Sequence, residues 1–363
     1  MSRLNASLPA AAGLNRPLVQ PGSRARLLRM LALPAAVLVF LLTLSQLGAV
    51  PIGLQDWLHG PWNEDSGSAG AHVLWQLRLP RILLAASVGA GLGLAGALSQ
   101  ALFRNPMADP ALLGVTSGAA AAVALSLTLF AGLQLALPAP WRVWLLPAVG
   151  FAGALLVCFA LERLARWLAP GSIAALLLSG LAIQALAFAL VGLCSHVATD
   201  EQLRSLSFWT LGSLAGASWL MVALMGGAVV LAATLAKRMA PRLNALALGE
   251  AAASHVGVQV HSLRLQTIAC VALLSALAVA WCGSIGFIGL MAPHLARQWV
   301  GADLRRVLPI AMLAGALLLM LADTLARTLA IPAEIPVGVF SALIGAPWFL
   351  FMLRKSVQRM GSV

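Results

Sequence analysis

The sequence predicts an all-α integral membrane protein with about ten transmembrane helices. Of its 363 residues, 61% are hydrophobic and only 9% are charged, whereas an ordinary soluble domain has about 25% charged residues. Mean hydropathy is +0.94. Long charge-free runs recur along the chain, and the basic residues are distributed unevenly among the segments that join these runs. A chain with so little charge cannot cover the surface of a water-soluble fold.

Nine charge-free runs mark the predicted helices in order. They cover residues 30–55, 82–103, 110–141, 143–161, 167–199, 205–236, 265–296, 307–322 and 335–353. A spanning helix needs roughly 20 apolar residues, so most of these runs can cross a bilayer. The run 265–296 is broken at 281–284, and we interpret it as one full crossing followed by a shorter returning helix. Ten spans result.

The two ends of the chain are predicted to be short cytoplasmic tails on either side of a single transmembrane domain. Residues 1–29 carry five arginines and lead directly into the first apolar run. That run is much longer than the 7–15-residue apolar region of a secretory signal peptide, so we expect an uncleaved first span. The predicted division is therefore a tail at 1–29, a transmembrane domain at 30–355 and a tail at 356–363.

The strong basic excess is explained by membrane topology. A net charge of +12 would suggest a nucleic-acid partner in a soluble protein, but in a membrane protein the cytoplasmic loops are enriched in Lys and Arg. With ten spans and both termini inside, 18 of the 23 basic residues fall on the cytoplasmic side. The five outer ones are Arg78, Arg81, Arg142, Arg204 and Arg327. We therefore expect membrane lipid around the chain and no nucleic acid.

Two connecting segments and one span have distinctive patterns. Residues 51–79 lie outside and are rich in Trp, which favours the headgroup layer. Residues 237–263 lie inside and are patterned as one or two short amphipathic helices. In the second span Gly89, Gly93 and Ala97 recur every four residues, a spacing that lets another helix approach closely.

The acidic residues and the missing motifs bear on the energy source. Ten of the 11 acids fall at loops or span ends, and Asp323, within an apolar stretch, is followed by Arg327 four residues later. Ion-coupled carriers usually place ionisable relays inside their spans, so that class is disfavoured and kept as an alternative. No G-x-x-x-x-G-K-[ST] phosphate loop occurs. If ATP drives transport, the ATPase is a separate chain that docks at 237–263.

Catalysis and metal binding have no support in the sequence. The four cysteines and six histidines show no metal-ligand or redox spacing, and no G-x-S-x-G nucleophile elbow is present. We therefore expect no catalytic or metal site in this chain. A membrane enzyme or an assembly factor without transport stays open as a third class.

Several short motifs follow one another in a fixed order. They are R-L-P-R at 78–81, G-A-L-S-Q at 96–100, R-N-P-M-A-D-P at 104–110, L-G at 113–114, L-G-E at 248–250, G-S-I-G-F-I-G-L at 283–290, P-H at 293–294, A-D at 322–323, Arg327, E-I-P-V-G at 334–338 and I-G-A-P at 344–347. Together they resemble the signature of the FecCD-type permeases, the membrane subunits of bacterial type II ABC importers for cobalamin, iron-siderophores and haem. The resemblance covers about residues 30–355.

This resemblance implies a type II ABC importer permease fold in the bacterial inner membrane, with both termini cytoplasmic. It implies a homodimer that lines a central pathway, two cytoplasmic ATPase subunits and a periplasmic substrate-binding protein. ATP and Mg²⁺ would bind to the partner ATPase, so no cofactor is expected on this chain, which would be a permease subunit and not an enzyme.

The resemblance also assigns a docking role to outer arginines. In the family such residues receive acidic side chains of the binding protein, and the matching positions are Arg78, Arg81 and Arg327. Charge-assisted pairing of Arg with carboxylates is a sound physical basis for docking. The alternative is that these side chains snorkel toward the lipid headgroups.

Two further sites are implied on the cytoplasmic side. The family's gate maps to Asn105 and Met107, with a plain turn role for Asn105 as the alternative. The family's ATPase-coupling helices map to 237–263, where Gly249, Glu250 and Gly257 occupy the matching positions.

The segment 206–219 looks more like the haem-importing members of the family than the cobalamin-importing ones. Haem is therefore the expected substrate, and an iron-siderophore or cobalamin is the alternative. A wide apolar pathway without a fixed set of polar ligands suits any large metal chelate.

Overall fold

The computed structural model describes residues 36–48, 50–58, 69–132, 138–169, 172–331 and 333–360, and every regular element in these ranges is helical. The predicted tail at 1–29 and residues 361–363 of the C-terminal tail lie outside the described residues. The chain divides after Thr43 into two units, and the contacts below all belong to the second, Leu44–Val363.

The helices are labelled here in chain order. They are α1 (Ala36–Gln46), α2 (Ala69–Leu102), α3 (Val115–Thr128), α4 (Ala139–Leu168), α5 (Ile173–Val197), α6 (Asp200–Leu211), α7 (Trp219–Ala247), α8 (Glu250–His255), α9 (Val260–Cys282), α10 (Ile288–Val300), α11 (Leu304–Thr328) and α12 (Val337–Met360). A short helix at Leu54–Leu58 and a 3-10 turn at Pro110–Leu113 lie between them. Within α2, residues Val73–Arg78 form a π-helical turn.

The helix lengths agree with the predicted fold class. Within the described ranges, six helices are long and apolar enough to cross a membrane, namely α2, α4, α5, α7, α9 and α11. Three apolar helices are shorter, namely α1, α3 and the 337–352 part of α12. The 13-residue α10 is the short returning helix expected after the break. The structure is thus consistent with about ten membrane helices.

The predicted break at 281–284 is confirmed. α9 ends at Cys282 and α10 begins at Ile288. Gly283 and Phe287 both adopt a positive φ of 66°, a conformation that ends a right-handed helix. The backbone N–H of Ser213 donates to the carbonyl of Cys282 at 2.8 Å, which fixes this reversal against the connection between α6 and α7.

The helices extend beyond the charge-free runs. α2 begins at Ala69 and so includes Arg78 and Arg81, while α7 continues past residue 236 to Ala247 and includes Arg238 and Arg242. A charged residue does not interrupt backbone hydrogen bonding. Its side chain needs only a partner or a path to water, and arginine reaches both through its long apolar stem.

α2 is the central helix of the unit and packs against α7, α9, α10 and α11. Its Gly89 and Gly93 face α11 so closely that a Cβ on either would overlap the main chain of Gly315 or Ala311. Ala97, the third member of this stripe, is fully buried. The predicted close approach of another helix is confirmed. α3, α4 and α5 pack on one another beside this group.

Candidate functional site

An ion-pair cluster joins α2 to α11 and to the connection that precedes α12. The guanidinium of Arg81 donates through Nε and Nη2 to Asp323, at distances of 2.9–3.2 Å, and through Nη1 to Glu334 at 2.9 and 3.1 Å. The Asp323 side chain is 1% exposed, that of Arg81 13% and that of Glu334 47%. The single positive charge of Arg81 is therefore shared by one buried carboxylate and one exposed carboxylate. The sequence suggested Arg327 as the neighbour of Asp323, but the hydrogen bonds come from Arg81.

The other two predicted docking arginines lie beside this cluster and point into the protein. Arg78 is 6% exposed, and its guanidinium donates to the carbonyls of Ser45 at 3.0 Å and Val50 at 2.5 Å. Arg327 is half-buried and donates to the carbonyl of Leu44 at 3.2 Å. These contacts tie Leu44, Ser45 and Val50 to α2 and α11. The structure thus brings all three predicted arginines together, with the exposed Glu334 at the edge of the cluster.

The predicted gate lies in the turn that follows α2. The Oδ1 atom of Asn105 accepts from the backbone N–H of Met107 at 2.9 Å, and the carbonyl of Asn105 accepts from Ala108 at 3.1 Å. Asn105 is exposed and Met107 is half-buried. Asn105 therefore forms the turn, as its alternative role requires, and this leaves its role in gating as a prediction.

A polar contact between α2 and α10 lies next to this turn and was not predicted from the sequence. Gln100 of α2 is 2% exposed, accepts from the guanidinium of Arg297 on α10, and donates to the carbonyl of Leu290 at 3.4 Å. The signal was present, because Gln100 is an amide within an otherwise apolar run. Its partner on α10 could not be inferred from sequence spacing.

The predicted coupling segment consists of the end of α7, the short helix α8 and the start of α9. Gly249 and Gly257 flank α8 with φ angles of 116° and 81°, a region that favours glycine. Glu250 accepts from the Nη2 atom of Arg264 at 2.9 Å, which fixes α8 against α9. The three residues named from the sequence therefore shape one short connection.

The end of α7 is also joined to the start of α11. The Nδ2 atom of Asn244 donates to Asp303 at 2.6 Å, and its Oδ1 atom accepts from the backbone N–H of Leu304 at 3.1 Å. Asp303 is the N-cap of α11 and also accepts from the backbone N–H of Arg305. This backbone donor, followed by the Asn244 amide, holds the pKa of the Asp303 carboxyl below its usual range.

A cavity of about 380 Å³ lies among α2, α3, α5, α6, α9 and the turn before α10. Phe188 and Trp209 supply aromatic surface, and Asp109, Gln184 and Ser284 supply polar groups. The described residues contain no group of three His, Cys, Asp or Glu side chains placed to hold a metal ion. The walls of the cavity are thus mainly apolar, with a few polar groups. The sequence had given the lining residues no role in a cavity, although Trp209 belongs to the 206–219 segment and Asp109 and Ser284 belong to the family motifs.

Comparison with known proteins places this arrangement in a family. The model of the FecCD transport family matches residues 35–355. The chain belongs to the FecCD transport family. As a FecCD permease, it is the membrane subunit of a type II ABC importer.

Individual relatives agree with this assignment. The FecCD chain is 42% identical over 326 residues to the hemin transport system permease protein HmuU of Yersinia pestis. The alignment covers 89% of this chain and 96% of that protein. It is 40% identical over 293 residues to the cobalamin import system permease protein BtuC of Halobacterium salinarum. This alignment covers 79% of this chain and 74% of that protein.

A solved structure shows the same fold. It is described as an inward-facing conformation of a metal-chelate type ABC transporter, and it superposes with a TM-score of 0.76 at 33% identity over 91% of this chain and 99% of that one. The all-helical architecture predicted from the sequence is therefore the architecture of a FecCD permease.

Proposed function

We propose that this FecCD permease moves haem across the bacterial inner membrane into the cytoplasm. The observation that carries the proposal is its 42% identity to a hemin permease over almost the full length of both chains. The cavity beside Trp209 supports it in part, because its aromatic and apolar surface suits the apolar ring system of a porphyrin. The second candidate is cobalamin, favoured by the 40% identity to a cobalamin permease. An iron-siderophore is the third.

We further propose that transport needs partners. These are a second copy of the chain, two cytoplasmic ATPases that bind ATP and Mg²⁺, and a periplasmic binding protein. The 237–263 segment would transmit ATPase motion through Gly249, Glu250 and Gly257, and the turn at Asn105 and Met107 would close the cytoplasmic end of the pathway. Both termini would be cytoplasmic. The flanking glycines and the contact between Glu250 and Arg264 support the coupling role, because they give α8 a defined orientation on α9.

The test is uptake into proteoliposomes that contain the permease and its ATPase, supplied with the cognate binding protein. We expect ATP-dependent uptake of haem that exceeds uptake of cobalamin and of a ferric siderophore. A hydrolysis-dead ATPase is the control, and it should abolish uptake. If cobalamin were taken up in preference, cobalamin and not haem would be the substrate. Uptake that continues without ATP hydrolysis would contradict the assignment as an ABC importer.

Docking of the binding protein is proposed to use Arg81 and Arg327, with Arg78 supporting them from its buried position. An incoming carboxylate would take the place of the exposed Glu334 on the Nη1 atom of Arg81, while Asp323 stays bound to Nε and Nη2. Such an exchange needs no newly buried charge. The internal carboxylate thus keeps the guanidinium oriented for docking.

Glu334→Gln tests this exchange without removing any arginine. Because the variant loses the competing charge, we expect the binding protein to associate about two- to fivefold more tightly at low salt, in the range of a surface ion pair. The measurement is titration of the binding protein onto permease in nanodiscs. Glu201→Gln, another exposed acid assigned to the outer side, is the matched control. Equal affinity of the Glu334→Gln variant and the wild type would remove Arg81 from the docking surface.

A further inference from the structure

An open groove runs between α7 and α9 on the outside of the helix bundle. Its volume is about 460 Å³. The side chains along it are mainly apolar, and the small Ala232 and Ala269 leave room between the larger Leu231, Leu235 and Leu273. Long apolar side chains flanking small ones form a channel wide enough for a hydrocarbon chain to lie along the helices.

One end of the groove is strongly basic. Arg238 and Arg242 lie one turn apart on α7, and both line the groove and are exposed. The ion pairs found among the described residues use Arg81, Arg166 and Arg264, so neither groove arginine is neutralised by a described carboxylate. Gln266 of α9 lines the same end and is exposed. Two guanidinium groups and an amide therefore surround a site for a negative group.

The position of these arginines along α7 matches the depth of lipid phosphates. α7 begins at Trp219, and tryptophan favours the membrane interface. At 1.5 Å per residue, Arg238 lies about 28 Å further along the helix, close to the roughly 30 Å thickness of the hydrocarbon core. Arg242 follows about 6 Å beyond it. The basic end of the groove therefore falls in the opposite headgroup layer, where the charge distribution predicts the cytoplasmic face.

We propose that this groove binds one anionic glycerophospholipid of the inner leaflet. The phosphate lies between Arg238 and Arg242, the amide of Gln266 hydrogen-bonds the headgroup, and an acyl chain occupies the groove beside Ala269. A zwitterionic lipid binds less well, because its own cation opposes the two arginines. Basic pockets between helices on the cytoplasmic side are physically suited to such lipids. The site is independent of the substrate that the permease transports.

The first experiment is native mass spectrometry of the detergent-purified full-length protein, titrated with dioleoylphosphatidylglycerol. We expect a first lipid to bind tightly, and dioleoylphosphatidylcholine to bind at least tenfold more weakly. The double variant Arg238→Ala/Arg242→Ala should weaken the first phosphatidylglycerol by about 30-fold, since each arginine near a lipid surface contributes about a factor of five. The double variant Arg163→Ala/Arg306→Ala is the control, because it removes two exposed arginines elsewhere on the predicted inner face.

A second variant separates a bound lipid from a bound phosphate group. Ala269→Trp fills the groove at an exposed position and leaves both arginines in place. It should weaken phosphatidylglycerol tenfold or more, while soluble glycerol phosphate should bind too weakly to compete at the concentrations that saturate the lipid. Equal lipid affinity in Ala269→Trp and wild type would overturn the acyl-chain part of the site.

Unchanged lipid binding in Arg238→Ala/Arg242→Ala would overturn the whole proposal. Arg238 and Arg242 also lie within the 237–263 segment proposed to contact the ATPase, so co-purification of the ATPase is measured in the same variant. Its loss would assign the arginines to that protein interface and contradict a lipid site. An equal loss in the control double variant would show that the effect is general surface charge, which also contradicts a specific site.

Discussion

At the scale of single residues, the cost of buried charge explains where the arginines lie. An ionised carboxylate in an apolar environment needs a partner, and Asp323 finds it in Arg81, which belongs to a different helix. Arg78 has no acidic hydrogen-bond partner among the contacts described, and backbone carbonyls accept its donors instead. The motif at 78–81 is therefore structural in part, whatever it also contributes to docking.

Arg81→Gln is expected to lower the free energy of unfolding by about 3 kcal/mol, because the buried Asp323 loses the guanidinium that hydrogen-bonds it and keeps only the charge of Arg327 nearby. The double variant Arg81→Gln/Asp323→Asn should recover much of that loss, since two neutral amides can hydrogen-bond each other. Arg204→Gln, at an exposed arginine assigned to the outer side, serves as the control and should change little. Denaturant unfolding in detergent checks all three. A double variant as unstable as the single one would contradict this account.

Asp303 gives a prediction for pH. Its folded-state pKa is lowered, first by the backbone N–H of Arg305 and then by Asn244. A group with a lowered folded pKa contributes stability above its unfolded pKa, and this contribution is lost as the pH falls through the folded pKa. As the pH falls from 5 to 3, the melting temperature of the wild type should therefore fall more than that of Asp303→Asn. Between pH 5 and 7, the difference between the two melting temperatures should change little. Thermal melts of both proteins at each pH test this, and parallel curves would refute it.

At the scale of helices, small residues decide which pairs meet. The main chains of α2 and α11 approach at Gly89 and Gly93 so closely that no Cβ fits between them. Without a strong hydrophobic drive between helices in lipid, such packing is a main source of association. The ion pair between Arg81 and Asp323 joins the same two helices. α2 and α11 are therefore joined both by close main-chain packing and by an ion pair.

Gly93→Leu should separate α2 from α11 and strongly reduce the amount of folded protein in the membrane, because the added side chain meets the main chain of Ala311. Gly226→Ala in α7 is the matched control, since a Cβ there has open space around it. That change should be neutral or stabilise the protein by up to about 1 kcal/mol, the helix-propensity difference between Gly and Ala. Yield and melting temperature in detergent report on both. Normal stability of Gly93→Leu would show that the two helices can separate without cost.

Sequence patterns predicted the presence of each helix better than the residues at which it begins and ends. The break at 281–284 was found because the apolar run was too long for one crossing, and the stripe at Gly89 and Gly93 was found from its four-residue period. The extensions of α2 and α7 were missed because charge was taken as the end of a span. Long-range partners such as Arg81 with Asp323 depend on which helices pack together, and single-sequence spacing does not contain that information.

At the scale of the whole molecule, function depends on how contacts at the two ends of the helices are connected. One end of α2 carries the ion-pair cluster, and the other carries Gln100 with its partner Arg297 on α10. α11 likewise joins the cluster at one end and Asn244 of α7 at the other. For the proposed motion of the 237–263 segment, α11 and α2 provide a continuous path of contacts to the opposite face, since they pack closely at Gly89 and Gly93.

The direction of this connection depends on orientation, which the basic residues predict and which can be measured directly. All four cysteines of the chain are buried, so a cysteine introduced at an exposed site reacts over a low background. Arg204→Cys lies on the predicted outer side and Arg163→Cys on the predicted inner side, and both positions are exposed. In intact cells with a permeabilised outer membrane, we expect a membrane-impermeant maleimide to label position 204 and not 163. Breaking the inner membrane should make both reactive, because positive-inside topology places position 163 in the cytoplasm. Labelling of 163 in intact cells would invert the topology, and the Arg81 cluster would then face the ATPase instead of the binding protein.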